Sequence, residues 1–177
     1  MDTLPTDLQR LAAALHYAAR CHRNQRRKNE EQDPYINHPI SLLHVLAVEA
    51  HITDADVLCA ALLHDVIEDS PTTREDIAAL FGEDIARVVW LLTKFEDVSL
   101  ADYLAAIEAA GETGATIVKL CDRLDNLRFV SHSPRPDKRE RYIRTTETYY
   151  LPMAKRTNPY LHDELRRSLE EVRTLVP

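Results

Sequence analysis

Histidine and acidic side chains fall in three separate stretches of this sequence, and together they are typical of a divalent-metal site with catalytic carboxylates beside it. The residues concerned are His38, His64, Asp65, Glu68, Asp69, Asp122 and Asn126. Mixed imidazole and carboxylate ligands suit Mn, Fe, Zn or Mg, and a set rich in carboxylates favours the harder ions. A metal with acids alongside indicates hydrolysis of a phosphate ester.

The densest stretch lies at the end of a predicted helix over residues 54–69, which Thr53 would cap. Residues three and four apart share a helix face, so Glu68 follows His64 and Asp65 by about one turn. A helix C-terminus carries partial negative charge, so acidic side chains are unfavourable there unless a cation compensates them. A bound metal ion would supply that positive charge.

Two further helices must position the remaining residues. Asp122 and Asn126 are four apart and share one face of a predicted helix at about residues 115–130. Pro39 suits the first position of a helix, which places His38 at the start of another. A lone histidine is more often a surface or structural residue. The apolar neighbours of Asp122 argue for more than a solvated acid, because a carboxylate near the core needs a partner.

These ordered motifs resemble the HD-domain superfamily of metal-dependent phosphohydrolases. The resemblance is closer to the small alarmone hydrolases of the Mesh1 type and to the hydrolase domain of the bifunctional Rel/SpoT enzymes. It covers the chain from about residue 7 to about residue 156. The segments that carry it are Arg26-Arg27-Lys28, Pro34 to Ile40, His64 to Ser70 and Lys119 to Arg128.

The resemblance implies hydrolysis of the 3′-pyrophosphate of guanosine tetra- and pentaphosphate, giving GDP or GTP and pyrophosphate. It implies one Mn²⁺ per chain, with the ligands His38, His64, Asp65 and Asp122. It implies that the attacking water is activated and oriented by Glu68 and Asp69. The substrate contacts that it implies are Arg27, Lys28, Asn126, Arg144 and Tyr149.

Other interpretations stay open at this stage. Asp125 and Phe129 flank Asn126 and depart from the commonest family residues, so the base preference is undecided. The same fold could act on adenosine alarmones, NADPH or nucleoside monophosphates. A non-catalytic nucleotide-binding regulatory domain is a further alternative, which the intact set of ligands and acids disfavours.

Helical periodicity runs through the whole chain and predicts an all-α fold, a single HD-type bundle of about eight to nine helices over residues 1–177. A capping box at Thr72–Glu75 opens the fourth helix, which Gly82 ends. Trp90 is expected in the core, and Pro152 is expected to kink or end its helix. The predicted helices lie at about 6–25, 39–50, 54–69, 72–82, 83–94, 99–111, 115–130, 137–152 and 159–175, with a loop at 131–136.

Composition restricts the partners and the compartment. A net charge of -7 argues against a nucleic-acid surface, so the expected partner is a small-molecule nucleotide bound in a local cationic pocket. Cys21, Cys59 and Cys121 form no CxxC pair and are interpreted as reduced core thiols, which suits the cytoplasm. The sequence has no signal peptide and no apolar run of membrane length, so no membrane partner is expected. Formation of a homo-oligomer is left open.

Overall fold

A computed structural model of the protein describes residues 5–28, 32–130 and 136–175, and these residues form an all-α fold. Outside the helices, the described residues contain an isolated β-bridge between Arg26 and Pro34. The prediction of an all-α fold is therefore confirmed. The Cα positions divide the chain into two compact units, residues 1–99 and 100–177. The single domain over residues 1–177 stays a prediction.

The first unit is built around one short, almost completely buried helix. This helix, α3 (Ala55–Leu63), packs against α1 (Asp7–Cys21), α2 (Asn37–His44) and α6 (Glu83–Leu92), and the run from Leu58 to Leu63 is buried throughout. Six consecutive apolar or small residues, with neighbouring helices on more than one face, explain that burial. The helices of this unit are α1 (Asp7–Cys21), α2 (Asn37–His44), α3 (Ala55–Leu63), α4 (Val66–Asp69), α5 (Arg74–Phe81) and α6 (Glu83–Leu92), with a π-helical segment at Val45–Glu49.

The predicted helix over residues 54–69 is interrupted at His64 and Asp65, two of the predicted metal ligands. It ends at Leu63 and resumes at Val66, with His64 and Asp65 in the turn between α3 and α4. The Ala61 carbonyl accepts a hydrogen bond from the His64 imidazole, and Asp65 has φ -100° and ψ -2°, outside the regular helical values. The prediction of one continuous helix was therefore wrong at this point.

Helix caps in the first unit lie one residue from their predicted positions. Asp54, and not Thr53, caps α3, because its carboxylate accepts the N–H groups of Asp56 and Val57. The capping box of α5 is formed by Thr73 with Asp76, one residue beyond the predicted Thr72–Glu75 box.

Gly82 closes α5 as predicted, and its φ of 95° lies in the region that favours glycine. The expected core position of Trp90 was wrong. The buried stripe of α6 runs through Ile85, Val89 and Leu92, so Trp90 lies at the margin with 42% of its surface exposed, against the ring of Phe95.

The second unit is organised around α8, the longest helix among the described residues. Eleven of its residues are buried, and it packs against α7, α9, α10 and α11. The elements are α7 (Leu100–Ala109), α8 (Thr113–Val130), α9 (Pro136–Thr145), a π-helical segment (Thr146–Tyr150), α10 (Leu151–Thr157) and α11 (Pro159–Thr174). Residues 131–135 of the predicted loop lie outside the described residues.

Pro152 does not end its helix, because α10 continues through it to Thr157, so the predicted end at residue 152 was wrong. The regular helix changes to the π-helical segment just before it, and the Leu151 N–H bonds to the Thr146 carbonyl five residues back. Proline has no N–H to donate and its ring crowds the preceding turn, which accounts for the wider turn. No helix in the described ranges is both long enough and apolar enough to span a bilayer.

The cap of α3 provides a direct test of the local structure. Asp54→Ala should lower the free energy of unfolding by about 1 kcal/mol, because two N–H groups at the start of α3 lose their acceptor. Thr53→Ala, the matched control, should change it by less than about 0.5 kcal/mol. Urea unfolding followed by circular dichroism measures both values. A larger loss in Thr53→Ala than in Asp54→Ala would place the cap at the other residue.

Candidate metal centre

Three side chains in the first unit converge at the break between α3 and α4. Ligand atoms of His38, His64 and Asp65 lie within 4.8 Å of one another. The Nε2 atoms of His64 and His38 lie 2.9 Å and 3.7 Å from Asp65 Oδ2. Both imidazoles are at least 97% buried, and 19% of the Asp65 side chain is exposed. The structure thus brings together three of the four predicted ligands.

The tautomer of His64 follows from its hydrogen bonding. Its Nδ1 lies 2.8 Å from the carbonyl oxygen of Ala61, which can only accept, so Nδ1 carries the proton. Nε2 is therefore the ring atom left to bind a second proton or a metal ion. Within the described residues this buried Nε2 has no hydrogen-bond partner, although it lies 2.9 Å from Asp65 Oδ2. A positive charge, either a proton or a bound cation, is needed to hold the imidazole and the carboxylate this close.

These side chains fit a divalent metal ion. First-row divalent ions accept imidazole nitrogen and carboxylate oxygen as ligands, and the group offers the imidazoles of His64 and His38 and the carboxylate of Asp65. A carbonyl that fixes the distal N–H of a histidine is also the usual support for a metal-bound imidazole.

Tyr35 supports this group, although the sequence interpretation assigned it no role. Its hydroxyl donates a hydrogen bond to Asp65 Oδ2, and its ring meets the His38 ring edge-on with centroids 5.7 Å apart. A donor of this kind favours the ionised form of Asp65 and fixes its rotamer. Its place three residues before His38, in the same motif, is the signal that could have identified it.

Glu68 and Asp69 extend from α4, which follows the break directly. Glu68 Oε2 accepts the backbone N–H of Lys94 at 2.9 Å, so this carboxylate is anchored to the segment after α6. Desolvation raises the pKa of Asp69, and the charge of Asp65 raises it further, while His22, His64 and Tyr35 act in the opposite direction. Both acids lie on the same helical turn, in the first unit.

Gln25 connects the end of α1 to Asp69 through both ends of its amide. Its Oε1 lies 2.7 Å from His22 Nδ1, and its Nε2 donates to the Asp69 carbonyl at 2.6 Å. His22 is 2% exposed, and its ring packs on Tyr35 with centroids 4.9 Å apart. His22 is therefore a buried histidine beside the candidate metal centre, and no site role was predicted for it.

Asp122, the fourth predicted ligand, lies on α8 in the second unit. Its Oδ2 accepts from Lys119 Nζ at 2.9 Å, and its Oδ1 accepts from Asn126 Nδ2 at 2.5 Å. Asn126 also donates to the Asp122 carbonyl at 3.0 Å. Burial alone would lower the pKa of Lys119, but the charge of Asp122 raises it well above its usual value. Asn126, predicted as a substrate contact, therefore holds Asp122 in place within this unit.

The remaining predicted substrate contacts lie in both units. In the first unit, Arg27 is half-buried and Lys28 is exposed. In the second unit, Arg144 on α9 is exposed and Tyr149 on the π-helical segment is half-buried.

The segment that bears Arg144 and Tyr149 is attached to α8 by a buried arginine. The Arg123 guanidinium lies 4.0 Å from the centre of the Tyr150 ring and 4.5 Å from that of Tyr142. Its Nη2 donates to Thr145 Oγ1 at 3.1 Å. Cation–π contacts of a desolvated guanidinium are stabilising, so Arg123 orders this part of the second unit.

The two residues that depart from the family pattern differ in their surroundings. Asp125 is 9% exposed, whereas Phe129 is half-buried with Lys138 Nζ 5.6 Å from its ring centre. Cys21, Cys59 and Cys121 form no disulfide within the described residues. Cys59 and Cys121 are buried, as predicted, and Cys21 is partly exposed. Burial raises the pKa of the Cys59 thiol to about 11, so it is protonated at neutral pH.

Comparison with known families gives a match over most of the chain. The model of the family described as "HD domain" matches residues 14–158. The chain is 44% identical over 133 residues to the Drosophila melanogaster protein guanosine-3′,5′-bis(diphosphate) 3′-pyrophosphohydrolase MESH1, and the match covers 72% of each. It is 36% identical to the Escherichia coli bifunctional (p)ppGpp synthase/hydrolase SpoT, over 96% of this chain and 24% of SpoT.

A solved structure is similar to the chain along almost its full length. It comes from work on a metazoan ortholog of SpoT that hydrolyses ppGpp and plays a role in starvation responses. The TM-score is 0.82 at 35% sequence identity, and the match covers 96% of this chain and 97% of the other. At this identity and coverage the likeness extends to sequence as well as to fold.

The converging ligands predict a tightly held divalent ion. We expect about one per chain by elemental analysis after dialysis, and chelation should lower the melting temperature because the ion binds the folded state. His64→Gln and His38→Gln should lose the ion while retaining helical circular dichroism. His44→Gln is the matched control, since its side chain is 61% exposed and outside the group. A wild-type chain without metal after Mn²⁺ supplementation would contradict the assignment.

Proposed function

Because this chain belongs to the HD-domain family, we propose that it is a metal-dependent phosphohydrolase that removes the 3′-pyrophosphate of guanosine tetra- and pentaphosphate. The products would be GDP or GTP together with pyrophosphate. The relatives named for this activity, at up to 44% identity, support the substrate class. Mn²⁺ is proposed as the ion and the cytoplasm as the compartment, both on the resemblance of the motifs.

One observation carries the proposal: the buried group of His38, His64 and Asp65, whose ligand atoms lie within 4.8 Å of one another. The Ala61 carbonyl holds His64 so that Nε2 is directed at this group. Two imidazoles and a carboxylate that converge on one point are a donor set that binds a divalent cation. We propose these three residues as ligands, and Asp122 as a fourth on the strength of its motif.

A divalent ion in this site would lower the pKa of a water molecule and polarise a phosphoryl oxygen. The carboxylates of Glu68 and Asp69 would then orient this water and accept its proton. Glu68 is held by the Lys94 N–H, so its orientation is set before substrate arrives. Asp69 has a raised pKa, which brings it closer to the range in which a carboxylate exchanges protons with water and a leaving oxygen. We assign to this pair the orientation and deprotonation of the attacking water.

Cationic and polar residues outside the metal group would bind the nucleotide. Arg27 and Lys28 are the proposed contacts in the first unit, because guanidinium and ammonium groups neutralise phosphate charge and a guanidinium also stacks on a base. Arg144 and Tyr149 are the proposed contacts in the second unit. Asn126 has a positioning role through Asp122 in addition to any contact with the sugar.

A panel of substrates tests the proposed function. The Mn²⁺-loaded chain should release pyrophosphate from guanosine 3′,5′-bis(diphosphate) faster than phosphate from NADPH or from nucleoside monophosphates. The reason is that a diphosphate engages more of the available positive charge than one phosphate does. Adenosine alarmones in the same panel decide the base preference. Faster release from monophosphates would exclude the alarmone substrate and leave the metal-dependent hydrolase intact.

Glu68→Gln separates catalysis from metal binding. The amide oxygen of glutamine can still accept the Lys94 N–H, so fold and metal content should be unchanged. Turnover should fall by about 100-fold or more, because the proton acceptor is lost. Steady-state rates and metal analysis on the same samples measure both effects. Loss of metal from this variant would show that Glu68 is a ligand and not a catalyst.

Arg27→Ala tests the substrate contact. It should mainly raise KM, because a phosphate or base contact is made in both the ground state and the transition state. The adjacent Arg26 is exposed and donates to the backbone carbonyls of Arg23 and Gln25, so Arg26→Ala serves as the matched control. A fall in kcat with unchanged KM would instead place Arg27 at the reacting phosphoryl group.

A further inference from the structure

A polar cavity in the first unit lies outside the metal centre. It has a volume of about 510 Å³ and is formed by the C-terminal part of α1 and the segment that follows α4. None of the predicted ligands, acids or substrate contacts lines it. The side chains that define its chemistry are Tyr17, Arg20, Arg23, Asn24, Ser70 and Thr72. Its volume is within the usual range for sites of small organic ligands.

Two guanidinium groups give the cavity its charge. In the described part of the chain, neither Arg20 nor Arg23 forms an ion pair, whereas Arg10 and Arg74 of the same unit each pair with a carboxylate. Arg20 is in the last turn of α1, where a cation is favoured by the helix dipole. Arg23 lies beyond the end of α1 at Cys21, so that explanation does not extend to it.

Hydroxyl groups also line the cavity and are held in position by hydrogen bonds. Thr72 Oγ1 lies 3.1 Å from the Tyr17 hydroxyl and accepts from Ser70 Oγ at 2.9 Å. Ser70 Oγ also lies 2.6 Å from the Val66 carbonyl, and the Thr72 N–H donates to Ser70 Oγ at 3.3 Å. Ordered hydroxyls together with guanidinium groups suit a polar anion and not an apolar ligand.

The cavity remains cationic after its one acidic neighbour is included. Asp76 is part of the lining, and its carboxylate caps α5 by accepting the N–H and the hydroxyl of Thr73. Two arginines against one aspartate leave a net charge of +1 in a chain whose net charge is -7. A diphosphate group matches this arrangement, because each of two guanidinium groups can bind one phosphate.

We propose that this cavity is a second phosphate-binding site, separate from the metal centre, whose ligand is a small molecule with a diphosphate group. Arg20 and Arg23 bind the phosphate oxygens, and the Thr72 hydroxyl, which accepts from Ser70 Oγ, donates to a further phosphate oxygen. The site lies next to the proposed catalytic acids along the chain, since Ser70 directly follows Asp69. Free pyrophosphate and a nucleoside diphosphate share this chemistry.

The test is equilibrium dialysis of the Mg²⁺-loaded full-length chain, with inorganic pyrophosphate and GDP as separate probes. The variant Arg20→Gln/Arg23→Gln removes both cations from an exposed surface, so it should fold normally by circular dichroism. The charge-matched control is Arg166→Gln/Arg167→Gln on α11. We expect the first variant to bind one fewer diphosphate per chain than wild type, or to bind it at least about tenfold more weakly, and the control to resemble wild type.

Each outcome decides the proposal. Tighter binding of GDP than of pyrophosphate identifies a nucleotide as the ligand, and the reverse identifies the free diphosphate. Equal binding by wild type and Arg20→Gln/Arg23→Gln overturns the site, as does an equal loss in the α11 control, which would show a general charge effect. The result is independent of hydrolysis, because a chain with no turnover would still lose this binding in the variant.

Discussion

The hydrogen bond from the His64 imidazole to the Ala61 carbonyl is the interaction on which the candidate metal centre depends. It lies where α3 ends and α4 begins, next to the fully buried run of α3. Neighbouring residues on a regular helix point about 100° apart and do not face each other. The break removes that restriction and lets the side chains of His64 and Asp65 meet. The same bond places a proton on Nδ1 and leaves Nε2 as the ring atom directed at Asp65.

In the second unit, Asp122 is stabilised by hydrogen bonds from residues of its own helix. Asp122 is buried on α8, and residues one helical turn away on either side neutralise and orient it, Lys119 before it and Asn126 after it. A buried carboxylate without such partners would be protonated or would destabilise the fold. In each unit an acid is held by donors close to it: the Tyr35 hydroxyl for Asp65, and Lys119 and Asn126 for Asp122.

The amino-acid sequence by itself determined the all-α class, the approximate extent of the helices and the motifs that predict a metal-binding group. Helical periodicity is a local property, a histidine–aspartate pair with acids one turn later is visible in the sequence, and the contact between Asp122 and Asn126 follows from their spacing of four on one helix. The tertiary structure decided the break at His64, the choice of Asp54 over Thr53 as a cap and the exposure of Trp90. Each of these depends on which of several groups makes a hydrogen bond or packs against a neighbouring helix, and spacing along the chain does not determine that.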